Sequence, residues 1–165
     1  MNAVRQQSVP AAAKIRRASP GALVLVWAPV LIWMAFIFSL SGERFSDENT
    51  AAWLSGIIGP LGISPDVIEA GNFIVRKCAH FVEYAVLGVL TLRALRATWP
   101  QRRSGPLLLI AVLVAASWAT LDELHQHLGT TSRGGRPKDI GLDAAGALAG
   151  AVAGAAYRKR RLRRG

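Results

Sequence analysis

Gly21 to Leu40, GALVLVWAPVLIWMAFIFSL, decides the fold class, because it runs for twenty residues without a charge. A helix rises about 1.5 Å per residue, so this stretch reaches across the roughly 30 Å hydrocarbon layer of a bilayer. Pro29 inside it is tolerable in a membrane helix, where it is expected as a kink. An alternative reading is a cleaved signal peptide, with Ser39-Leu40-Ser41 as its small-residue site. The apolar core of such a peptide is only about 7–15 residues long, and this one is longer.

Three more segments are long and apolar enough to span, with charges confined mostly to their ends. One runs from about Phe73 to Leu95, one from Pro106 to about Leu124 and one from about Asp139 to Tyr157. The reading is an all-α membrane protein, a bundle of four transmembrane helices. Two shorter apolar patches, Ala51–Ile58 and Val67–Ile74, lie around Gly59-Pro60 and Ser64-Pro65 and are too short to span. They are expected as interfacial helices between the first two spans, capped by Asp47 or Ser64. Residues 1–20 read as a disordered basic tail, 21–157 as the membrane domain and 158–165 as a second basic tail.

The chain carries 20 Lys and Arg against 10 Asp and Glu in 165 residues, a net charge of +10. A basic protein invites a nucleic-acid reading, but the placement of these charges argues against it. With four spans, the N-terminal tail, the 93–103 linker and the C-terminal tail share one side and hold fourteen of the basic residues and no acid. The other side holds the remaining six and all ten acids. The positive-inside rule then puts both termini in the cytoplasm. Arg158 to Arg164 becomes a topology anchor on anionic lipid, not a nucleic-acid site. The single cysteine, Cys78, excludes an internal disulfide or a cysteine metal cluster and reads as a small apolar neighbour.

This topology gathers the ionisable residues at the opposite end. Arg76, His80 and Glu83 fall on one stripe of the second span, and Asp122, His125 and Gln126 on one stripe of the third. Asp139 and Asp143 line up on the fourth with Gly146 and Gly150, part of a Gly146-Gly150-Gly154 series that lets a neighbouring helix approach closely. A carboxylate such as Glu83, set below the membrane surface, needs a partner or a water-filled cavity and marks a functional site. The competing reading is a structural network in which Arg76 or Arg133 satisfies Glu83 and Asp122 and locks the helices together.

Two chemistries fit the stripe. His80 with Glu83 and Asp122 with His125 have the spacing that presents two ligands from one helix, so a divalent metal is one option. Alternatively, His80 or His125 acts as general acid or base with a carboxylate orienting its ring. His127 reads as a solvated loop residue.

Arg76-Lys77-x-Ala79-His80-Phe81-x-Glu83-Tyr84, then Asp122-Glu123-x-His125-Gln126, then Arg133 and Asp139-x-x-x-Asp143-x-x-Gly146, resembles the VanZ-like proteins. The polar close of the first span, Phe38-Ser39-Leu40-Ser41-Gly42, fits as well, and the likeness covers roughly residues 30–155. The resemblance implies a multi-pass protein of the bacterial cytoplasmic membrane. It adds Lys77, Tyr84, Glu123, Gln126 and Arg133 to the binding candidates Arg76, Asp139 and Asp143. The family is named for a member linked to resistance against the glycopeptide teicoplanin. That implies a cell-envelope role, with membrane lipids around the protein and a lipid-linked, glycan or glycopeptide ligand at its outer end. Two departures stand out: Gly129-Thr130-Thr131-Ser132-Arg133 replaces a Pro-Gly-Arg loop, leaving Arg136 in competition with Arg133, and Asp143 stands where the family often has asparagine. Three functional classes follow: a binding module, a membrane enzyme acting on an envelope lipid, and a structural or interaction protein.

Overall fold

The computed structural model describes residues 19–41, 47–129 and 137–164. The N-terminal tail, the 130–136 loop with Arg133 and Arg136, and the side chains of Asp47, Gln126 and His127 lie outside the described residues. Among those described, all regular structure is helical, and four helices are long and apolar enough to cross a membrane.

Helix α1 spans Pro20–Leu40. Ser19 caps it, its hydroxyl accepting from the Ala22 amide at 3.3 Å, and Pro20 takes the first-turn position where a missing N–H costs nothing. The helix runs on through Pro29. Helix α2, Asp47–Ile58, is followed by a 3₁₀ turn over Gly59–Leu61 that closes on Gly62 at φ 78°, a left-handed position that favours glycine.

Helix α3, Pro65–Thr98, overturns one expectation. The patch Val67–Ile74 is not a separate interfacial helix but the first turns of the second span. Pro65 sits where proline starts a helix, and no breaker stronger than Gly71 stands between it and Phe73. Ser64 occupies the cap position without a side-chain hydrogen bond. At 34 residues α3 is about 51 Å long, well beyond the hydrocarbon layer. Helices α4, Ser104–Gly129, and α5, Pro137–Leu162, complete the bundle.

The most extensive packing joins α3 and α5, which run parallel. Glycine makes this possible. A Cβ at Gly146 would strike the Phe81 carbonyl, one at Gly150 the Ala85 carbonyl, and one at Gly88, on the facing helix, the Ala147 carbonyl. Gly154 is different: a Cβ there would meet only Val89 side-chain carbons at 3.6 and 3.7 Å, an ordinary contact. The expected close approach therefore holds at Gly146 and Gly150, relaxes at Gly154, and draws in Gly88 from the other side.

Helix α1 lies antiparallel on α3, tied by two indole donors: Trp27 Nε1 to Thr98 Oγ1 at 3.0 Å and Trp33 Nε1 to the Glu83 carbonyl at 2.8 Å. Val30 and Ile37 of α1 enter a core with Tyr84, Leu87, Ala115 and Ala147, while Leu92, Leu95, Leu107, Ala111 and Ala151 pack a second core toward the other end. Leu25, Leu31, Ile32 and Leu109 point outward, 76, 62, 69 and 61% exposed. A soluble helix would hide such residues; a helix in lipid has no need to.

Candidate functional site

The end of the bundle where α1, α4 and the 3₁₀ turn finish, and α3 and α5 begin, holds the polar residues; it is called the polar end below. A cavity of about 160 Å³ opens there, lined by Ser41, Thr50, Arg76, Ala79, His80 and Glu83. The stripe Arg76-His80-Glu83 thus lies along one wall because its members are spaced by about one helical turn on α3. Helix α2 contributes Thr50 and the C-cap of α1 contributes Ser41.

Two of these residues connect the cavity to carboxylates behind it. The Ser41 hydroxyl lies 2.6 Å from Asp122 Oδ2 and 3.1 Å from the Ile37 carbonyl, so its one proton serves the carboxylate over the shorter path. Asp122 is only 3% exposed, and an ionised carboxylate at that depth needs such donors. His80 Nδ1 lies 3.5 Å from Asp143 Oδ1 across the α3–α5 seam. That distance suits an ion pair once the ring is protonated but is too long for a hydrogen bond. Both atoms are buried, as is the hydroxyl of Tyr84. At the rim, Lys77 of α3 pairs with Asp139 in the first turn of α5.

His125 takes a different position from the one its spacing with Asp122 suggests. Its ring stacks on Phe38 of α1 with centroids 4.2 Å apart, and it does not line the cavity. Tyr84 also stands away from the cavity, fully buried in the core between the helices. Glu123 is half-buried on α4, and Cys78 is exposed. The structure therefore brings Arg76, His80 and Glu83 together, attaches Asp122 and Asp143 through Ser41 and His80, and sets Lys77 with Asp139 beside them. Among the described residues no three His, Cys, Asp or Glu side chains converge on a point where they could hold a metal ion.

Sequence reasoning missed Thr50 and the role of Ser41. Ser41 carried a signal, being the first residue past the apolar run and thus the end of a helix at the polar mouth. Thr50 carried none. Its place depends on how α2 folds back onto α3.

Against known families, the VanZ/LLP1 family model matches residues 26–158. The chain belongs to the VanZ/LLP1 family. Among curated proteins and among solved structures, none matches it. The matched range reaches all four long helices of this VanZ/LLP1 protein, starting within α1 and ending within α5, and takes in every residue of the cavity. Family and helices together make the chain a VanZ-type multi-pass membrane protein.

Proposed function

We propose that this VanZ/LLP1 protein sits in the cytoplasmic membrane of a bacterium with both termini inside, and that its cavity opens outward to bind a polar group of the cell envelope. The ligand class is a lipid-linked or glycan envelope component, or a glycopeptide of the teicoplanin type that targets one. The observation that carries this reading is the cavity itself: a guanidinium, an imidazole, a carboxylate and two hydroxyls face one space at the mouth of a lipid-facing bundle. Such a mixture recognises a group rich in hydroxyl, amide and anionic oxygen through directed hydrogen bonds. The charge distribution along the chain supports the orientation.

A second reading, a membrane enzyme, is favoured by one feature. His80 lines the cavity while Asp143 stands 3.5 Å behind its Nδ1, near enough to stabilise the imidazolium that would form if the ring took up a proton from a ligand. One experiment separates the two. Envelope lipids and peptidoglycan precursors are profiled in cells carrying the wild-type gene, no gene, or the Glu83→Gln variant. Binding without chemistry leaves every covalent species unchanged while teicoplanin or precursor binding to the cell surface shifts. A new or missing covalent species that depends on Glu83 assigns catalysis instead. If neither profile nor binding responds to the gene, the site reading fails and a structural or interaction role takes its place.

A further inference from the structure

The end of the bundle opposite the polar mouth carries a second pocket, and its chemistry differs entirely. It has a volume of about 440 Å³ and lies between the last turns of α3 and α5. Arg93 and Arg96 of α3 and Arg158 of α5 line it, with Tyr157 beside them and Leu92 and Gly154 among its walls. No acidic side chain lines it. The stretches of chain at this end, 93–103 and 158–165, contain no acid at all. Arg96 is half-buried, and its guanidinium reaches the Ser104 hydroxyl at 3.4 Å, while Arg93 and Arg158 are exposed.

From this geometry we infer that the α3–α5 pocket is a binding site for one anionic glycerophospholipid. Three guanidiniums gathered without a carboxylate repel one another and are best satisfied by an anion with several oxygens, which a phosphodiester supplies in a geometry that matches the planar fork of arginine. The remaining walls are apolar, and Gly154 leaves room that a larger side chain would fill. A soluble anion has no use for such walls; an acyl chain does. Tyr157 sits where membrane proteins place amphipathic rings at headgroup level. Basic pockets between transmembrane helices take lipid headgroups by this combination. The inference is independent of the ligand proposed for the polar end, which lies on the other side of the bundle.

The test uses the full-length protein purified in detergent, with dioleoylphosphatidylglycerol and dioleoylphosphatidylcholine added in turn and bound lipid counted by native mass spectrometry. The expected result is one phosphatidylglycerol retained per chain and phosphatidylcholine lost. Replacing Arg93, Arg96 and Arg158 by Gln should weaken retention by roughly fivefold per arginine removed. The tail variant Arg160→Gln/Arg161→Gln/Arg163→Gln, which removes as many charges outside the pocket, should retain the lipid like wild type. Gly154→Leu keeps every charge but fills the pocket, so it should also lose the lipid, and it carries the test if the arginine variants fail to fold. Equal retention of phosphatidylcholine, or equal loss in the tail variant, overturns the inference by reducing it to general attraction. Displacement of the lipid by inorganic phosphate overturns it too, by assigning the pocket to a soluble anion.

Discussion

Asp122 and Glu83 carry the residue-scale argument. Both are carboxylates within membrane-spanning helices, and each lies within one contact of the same cavity, Glu83 directly and Asp122 through Ser41. Neutralising either carboxylate removes a charged acceptor from this polar cluster, and leaving a buried polar partner unsatisfied costs about 1–3 kcal/mol, more where a charge is involved. Glu83→Gln or Asp122→Asn is therefore expected to abolish the cellular phenotype, and the double variant to add little, since members of one unit are not additive. Expression and membrane insertion are measured alongside; variants that insert normally and retain full activity would remove this cluster from the functional site. Ser41→Ala tests the connection itself. It leaves Asp122 Oδ2 without its hydroxyl donor at a cost of about 1–3 kcal/mol, read as a lowered melting temperature in detergent, and Ser41→Thr should restore much of it. No loss in the alanine variant would mean that other donors satisfy Asp122.

At the scale of elements, the parallel α3–α5 pair does most of the positioning. It aligns His80 with Asp143 and Lys77 with Asp139 at one end, while Gly146, Gly150 and Gly88 let the backbones touch below. Gly150→Ala and Gly88→Ala each force a methyl into a backbone carbonyl, an overpacking expected to cost about 1–3 kcal/mol, whereas Gly154→Ala should be nearly neutral. Thermal melts of the three variants check this ranking, and a Gly154→Ala loss equal to that of Gly150→Ala would contradict it. The four-residue glycine period was legible in the sequence because it needs only helical spacing. Gly88 was not, since a lone glycine in a helix becomes informative only when its partner is known. The boundary of α3 was misjudged for a related reason. A short apolar patch followed by a basic pair looks like two elements until it is known that nothing between them breaks the helix.

For the whole molecule, four spans could be counted from the length of the apolar segments, and the polar end could be located from where the acids fall. Pairing across helices was a different matter. Helical spacing puts Asp122 and His125 on one stripe, but it cannot reveal that Phe38 of α1 takes the imidazole face while Ser41 takes the carboxylate. Those contacts depend on the azimuth of α1 against α4, which lipid-facing side chains leave almost unconstrained. The topology remains directly measurable. Reporter fusions after residues 103 and 164 are expected on the cytoplasmic side, and fusions within 42–64 or 130–136 outside. A fusion at 130–136 that reports from the cytoplasm would invert the proposed orientation and take the outward ligand with it.

The parallel seam between α3 and α5 also dictates how this chain can change length. His80 and Gly88 sit two turns apart on one continuous helix, one facing Asp143 and the other Ala147. Inserting or deleting a single residue between them rotates one against the other by about 100°. The polar contact or the glycine contact then survives, but not both. The 99–103 linker has no such phase to keep. Indels are thus expected to be tolerated between Trp99 and Arg103 and rejected between His80 and Gly88, however conservative the residue added. A scan of single-codon deletions, scored by membrane-inserted yield, would read this as a sharp silent window at the linker beside a closed frame in the helix.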